Sequence, residues 1–333
     1  MYVPSDERYS RMRYRRCGRS GLRLPAISLG LWRGLGDDTP FDAQQRLLRA
    51  AFDRGITHFD LAGCYGPPRG AAERNFGAHM ARDWHAHRDE LILSTQAGYG
   101  LRPGDRGDRK SLIGSLDASL KRMRVDYVDI FYHHGPDPDA PIGETMDALD
   151  RIVRSGRALY IGVVNYGPGL AEAAIRALRA LGTPLRVFQR RGSMFARDPL
   201  ASGLGETLRR EGVGCVVYAP PLGGTAEGRF LNGVPEDACA VRDPRFLEPE
   251  VVTEGVFGKA LRLNAIAAAR GQTLPQLALQ WALRDETVAS ALIEANDPEQ
   301  VVRGVAALDL DPLTAEEQAR IDAILLERSG GIR

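Results

Sequence analysis

His58-Phe59-Asp60-Leu61-Ala62-Gly63-Cys64-Tyr65-Gly66 is the stretch on which the rest of the chain turns. An apolar strand ends in a carboxylate, and a short glycine-broken loop then presents a phenol. A carboxylate taken out of water needs partners, and a tyrosine at a strand mouth can give or take a proton. The plain structural alternative is an aspartate closing a turn beside an ordinary surface tyrosine.

Outward from this stretch the pattern alternates. Strand-length apolar runs fall at 26–30, 56–60, 90–95, 125–132, 158–164, 185–189, 214–218 and 290–293. Between them, helical spacing predicts helices at 41–54, 71–82, 110–123, 142–155, 170–181 and 204–211. A long irregular stretch spans 219–249. Helical segments follow before Gly271 and at 275–284, 298–307 and 314–326, the last opened by Thr314 and Glu317 as a capping box. Residues 14–25 read as a small β-hairpin, and the polar residues 1–13 are expected to be loosely held.

Repeated strand–helix units on one sheet imply parallel strands and right-handed crossovers. Their count fits a closed (β/α)8 TIM barrel, with 14–333 as one domain carrying extra C-terminal helices. An open doubly wound sheet is the alternative, but no Gly-x-Gly-x-x-Gly follows the first strand. Barrel chemistry sits where strands end. Trp32, Asp60, Tyr65, Gln96, His134, Asn165, Gln189 and Tyr218 all fall there.

Composition narrows the function classes. The 333 residues are 44% apolar and 26% charged, which supports an ample core. A net charge of +1 gives no global footprint for nucleic acid. The lysines are Lys110, Lys121 and Lys259, so a role demanding an amine has few candidates. Cys17, Cys64, Cys215 and Cys239 lack metal-ligand spacing and read as reduced thiols of a cytoplasmic protein. No metal is expected. No apolar run is long enough to cross a bilayer, and the charged N-terminus is not a signal peptide. The expected partner is a small molecule; a homo-oligomer stays open.

Several runs carry a family likeness. They are Arg16-Cys17-Gly18-Arg19-Ser20-Gly21-Leu22-Arg23-Leu24-Pro25, Gly55 to Ala62, and Tyr65-Gly66-Pro67-Pro68. Glu73 with Asn75-Phe76-Gly77, Ser119-Leu120-Lys121-Arg122-Met123 and Asp126-Tyr127-Val128-Asp129-Ile130 also match. Through them the chain resembles the aldo-keto reductases over nearly its whole length. It is most similar to the bacterial branch acting on glyceraldehyde 3-phosphate and to the potassium-channel β-subunit group. The resemblance implies hydride transfer between a nicotinamide and a carbonyl carbon through an Asp, Tyr, Lys and His tetrad. Asp60, Tyr65 and His134 match three members. The family's lysine closes the third strand in Ser-Thr-Lys-Ala-Gly-Tyr; this chain reads Ser94-Thr95-Gln96-Ala97-Gly98-Tyr99. Trp32, Cys64, Tyr99 and His133 would line the substrate pocket, although packing is the default role of each.

The resemblance places Asn165, Gln189 and Tyr218 on the nicotinamide, with Glu294 and Asn296 where the 2′-phosphate would sit. Glu294 and Asp297 put negative charge there. Two like charges ~4 Å apart repel by ~4 kcal/mol at an effective dielectric of about 20. NADP is therefore disfavoured and NAD stays conceivable. Gln96 brings no charge to lower the tyrosine pKa, so ordinary reduction is expected to weaken. Three readings stay open. One is a redox-neutral acid–base enzyme using Tyr65 and His134 in an elimination, isomerisation or cyclisation. The others are a carbonyl reductase with altered cofactor choice and a non-catalytic regulatory protein.

Overall fold

The computed structural model describes residues 2–98, 106–192, 194, 203–218 and 254–327. Strands β1 (Tyr14–Arg16) and β2 (Arg23–Pro25) form the expected antiparallel hairpin, with Tyr14 opposite Pro25. The barrel strands are β3 (Ile27–Gly30), β4 (His58–Asp60), β5 (Ile92–Ala97), β6 (Val128–His134), β7 (Ala158–Val164), β8 (Val187–Arg191), β9 (Gly214–Tyr218) and β10 (Val288–Ile293). They pair in parallel in chain order, and β10 also pairs with β3 through Ala291 and Ile27. That last pairing removes both edges, so the sheet is a closed (β/α)8 barrel and not an open one.

The outer ring consists of α1 (Phe41–Asp53), α2 (Ala71–His79), α3 (Arg109–Met123), α4 (Ile142–Arg154), α5 (Pro168–Ala180) and α6 (Leu204–Glu211). It continues with α7 (Glu254–Ala269), α8 (Leu274–Ala282), α9 (Pro298–Val305) and α10 (Ala315–Leu326). Local chemistry sets several starts. Asp108 accepts from the Ser111 amide ahead of α3, and Asp297 accepts from that of Gln300 ahead of α9. The capping box of Thr314 and Glu317 opens α10 as expected. Leu263, Leu277, Trp281 and Ile321 tie α7, α8 and α10 into an apolar cluster of their own.

Inside the barrel, Ile130, Tyr132, Val164, Val187, Val216 and Leu292 pack together with Leu24 and Cys17 of the hairpin region. The hairpin thus stoppers the N-terminal end. The approach is close: a Cβ on Gly214, at the start of β9, would stand 2.4 Å from the Cys17 sulfur. The opposite end remains for the βα loops.

Residues 2–13, expected to be loosely held, make specific contacts. The Tyr2 hydroxyl donates to Asp53 at 2.8 Å, Arg8 pairs with Glu90 at 2.7 Å, and Met12 is buried in the main core. These anchors are scattered through polar sequence, so no periodicity announces them. Tyr99, Cys239 and the 219–249 stretch lie outside the described residues. Among the described residues no helix is long and apolar enough to cross a membrane.

Candidate active site

In β4, alternation sends His58 and Asp60 inward while Phe59 packs outward against Phe76 and Trp84. The chain then turns through Gly63 and brings Tyr65 back over the barrel mouth. Gln96 lies on the inward side of β5, one residue before its end, and His134 ends β6.

These four side chains meet at one amide. Gln96 Nε2 donates to the Tyr65 hydroxyl at 2.8 Å and to Asp60 Oδ2 at 3.3 Å. Gln96 Oε1 lies 2.7 Å from His134 Nδ1. Trp32 meets Tyr65 edge to face, with ring centroids 6.2 Å apart. Gly30 makes room for that indole, since a Cβ there would lie 1.7 Å from a ring carbon. Cys64 is half-buried beside Tyr65.

Asp60 is buried, and burial pushes its carboxyl up to about 7. Hydrogen bonds from Ser94 at 2.5 Å, from Gln189 at 3.3 Å and from Gln96 oppose that shift. Among the described residues no lysine or arginine contributes to its charge balance. His134 is pulled down to about 4, first by burial and then by neighbouring His133, so it is neutral at pH 7.

Beneath Asp60 lies a buried polar chain that the sequence reading missed. Ser94 Oγ bonds Nε2 of His58, whose Nδ1 bonds Ser28 Oγ; both distances are 2.9 Å. Ser28 then meets Ser290 at 2.6 Å. With Asp60 ionised, a single direction satisfies every group: Ser290 to Ser28 to His58 to Ser94 to the carboxylate. Burial drives His58 down to about 3, so it works as a neutral link. The available signal was serine and histidine at inward positions of otherwise apolar strands.

Glu73 is a further buried carboxylate, on α2. It accepts from Thr95 on β5 and from Arg122 on α3, both at 2.6 Å. It braces β5 one residue before Gln96.

Asn165 follows β7 with φ +58°, a left-handed conformation that asparagine tolerates. Its Nδ2 donates to the Tyr218 hydroxyl at 2.8 Å, so the phenol spans the end of β8. Gln189 turns its amide inward to Asp60.

Two expected positions, His133 and Glu294, are corrected. His133 does not line the pocket: β6 runs two residues further than the sequence suggests, and alternation turns His133 toward the helices. There it is buried, 2.7 Å from the Tyr166 hydroxyl. Glu294 offers no open charge to a phosphate. Its Oε1 lies 2.8 Å from Arg33 Nε; burial raises its carboxyl, against the pull of Arg33 and the Trp32 indole. Asn296 is exposed, and its backbone N–H already donates to Gln300 Oε1 at 2.7 Å. Among the described residues no group of three or more His, Cys, Asp or Glu could hold a metal ion.

A closed barrel that gathers Tyr65, His134 and the buried Asp60 at the C-terminal ends of its strands places this chain among the barrel enzymes. The chain belongs to the Aldo/keto reductase family, whose profile matches residues 26–326. It is 45% identical over 328 residues to the L-glyceraldehyde 3-phosphate reductases of Escherichia coli O157:H7 and of Escherichia coli strain K12. Each alignment covers 97% of this chain and 95% of the relative. A crystal structure of a thermostable aldo-keto reductase, Tm1743, with the inhibitor epalrestat superposes with a TM-score of 0.74 at 29% identity. That match covers 94% of this chain and all of the other.

Proposed function

We propose that this protein is a nicotinamide-dependent oxidoreductase that interconverts a small polar aldehyde and its alcohol, using NADH in preference to NADPH. The observation that carries this reading is the hydrogen-bonded set of Tyr65, Gln96 and His134 at the open end of the barrel. A phenol that accepts from Gln96 has its O–H to offer as a hydrogen bond to a carbonyl or hydroxyl oxygen. The redox-neutral and non-catalytic alternatives gain no support from relatives named as reductases.

The residues present suit a nicotinamide. Asn165 and Gln189 offer amide groups to its carboxamide, and Tyr218, anchored by Asn165, offers a flat face. The bound nicotinamide would supply the hydride chemistry. The far end of the dinucleotide meets acid: Asp297 caps α9, and Glu299 holds Arg303 at 3.3 Å. A 2′-hydroxyl suits this setting better than a 2′-phosphate.

The names of the relatives suggest a phosphorylated three-carbon aldehyde. Arg191 supports that class. It lies two residues beyond Gln189 on the same inward face, opposite Tyr218, and Arg190 and Arg191 both place positive charge near that phenol. Read as reduced thiols, Cys17, Cys64 and Cys215 suit a reducing compartment, and we place the protein in the cytoplasm.

Steady-state assays of glyceraldehyde 3-phosphate and an unphosphorylated aldehyde, each with NADH and NADPH and with Tyr65→Phe as control, test this reading. Turnover with NADH that falls at least about a hundredfold in Tyr65→Phe is expected. Failure of both nicotinamides to bind or turn over in either direction would overturn it.

A further inference from the structure

We infer that Gln96 is a positioning residue that keeps the proton of the His134 imidazole on Nδ1, so that Nε2 takes the hydroxyl proton of the substrate in alcohol oxidation. This rests on the hydride-transfer reading above and adds the direction and the base.

An amide oxygen has only lone pairs to offer. The 2.7 Å contact between Gln96 Oε1 and His134 Nδ1 therefore requires a proton on Nδ1. The neighbours fix which way the amide points. Its nitrogen faces Asp60 Oδ2 and the Tyr65 hydroxyl. Turning the amide over would set its oxygen against the Asp60 carboxylate, whose other oxygen is already served by Ser94 and Gln189. The ring is neutral, so its lone pair sits on Nε2. Asn165 agrees, approaching Nε2 with its donor nitrogen at 3.5 Å.

A carbonyl oxygen placed between Tyr65 and His134 meets one donor and one lone pair. A hydroxyl there meets a donor for its own lone pair and an acceptor for its proton. The site thus complements the alcohol. In the step, the O–H proton passes to Nε2 and the C–H electron pair leaves as hydride to an oxidised nicotinamide, forming C=O. The resulting imidazolium keeps its Nδ1–H on Gln96 Oε1, where a charge-assisted bond is stronger than the neutral one.

The arrangement predicts its own reversal. Asp60→Asn gives Gln96 a donor to face in place of a carboxylate. The amide then turns over, its nitrogen donates to Nδ1, and the proton moves to Nε2.

Nitrogen-15 NMR of the histidine rings tests this on the cofactor-free protein, at a pH above the Asp60 value of about 7, with the signals assigned by their loss in His134→Ala. The wild type should show a pyridine-type Nε2 and a pyrrole-type Nδ1, and Asp60→Asn the converse. In kinetics, Asp60→Asn should lower kcat/KM for oxidation and for reduction together, about tenfold or more. A pyrrole-type Nε2 in the wild type, or an unchanged ring in folded Asp60→Asn, would overturn the inference. Should that variant not fold, the wild-type spectrum alone decides. Absence of all turnover with nicotinamides would remove the proposed function, yet the tautomer would still be read.

Discussion

Glu73 and Arg122 form a 2.6 Å ion pair whose carboxylate has no exposed surface. The guanidinium lies beneath the loop that carries Tyr65: a Cβ on Gly63 would stand 3.1 Å from it, and one on Gly70 3.3 Å from its Nε. Glu73 also holds Thr95, next to Gln96. One pair therefore braces both the Tyr65 loop and the strand that carries Gln96.

Arg122→Met should leave Glu73 buried without its cation. Breaking such a pair from one side costs about 3 kcal/mol or more, which urea unfolding would read. The loop would lose its support, and kcat should fall about tenfold with KM less affected. Equal stability in the two proteins would show that the pair braces nothing.

Gln96→Lys places an ammonium beside Asp60 and Tyr65. An adjacent cation favours the ionised forms of both the carboxyl and the phenol. Reductive kcat should rise about ten- to a hundredfold, since each pKa unit is worth about 1.4 kcal/mol. An unchanged rate, measured with a small aldehyde and NADH, would mean that position 96 does not limit the proton transfer.

The stability of the fold should depend on Asp60 with a definite sign. Its carboxyl titrates at about 7 in the fold and near ~4 in the unfolded chain. Between those values the folded state binds the extra proton. Stability from this group is therefore greatest at acid pH, falls as pH rises through that window, and levels off above it. Asp60→Asn should remove this slope and gain up to ~4 kcal/mol above pH 7, while lowering activity. Thermal melts at pH 5 and pH 8 check it; a larger gain at pH 5 would refute it.

Asp297→Asn should separate helix capping from cofactor choice. Asparagine caps as well as aspartate, so α9 should keep its stability. Without the carboxylate, NADPH should bind about tenfold tighter with NADH little changed. Fluorescence titration of both reads the outcome, and an unaltered ratio would place the 2′-phosphate elsewhere.

Arg191→Ala should raise KM for glyceraldehyde 3-phosphate about tenfold or more and leave an unphosphorylated aldehyde nearly unaffected, because a charge-assisted bond to phosphate would be lost. A parallel rise for both substrates would mean that Arg191 shapes the mouth without reading the phosphate.

Periodicity alone was enough for the barrel. Alternating apolar runs and helical spacing are local properties, and eight such units have few ways to bury their faces. That Asp60, Gln96, His134, Asn165, Gln189 and Tyr218 fall at or near the C-terminal ends of the strands was legible for the same reason, although β5, β6 and β8 each run two residues further than the pattern suggests. Tertiary structure decided the rest. Whether Glu294 stands open depends on Arg33, which is distant in sequence and adjacent in space. The orientation of His133 depends on where β6 ends. The chain from Ser290 to Asp60 joins residues of four strands, and Gln96 acquires its partners only when three βα units close around it. Hydrogen bonds between side chains are set by distance in the folded barrel, and linear sequence does not encode that distance.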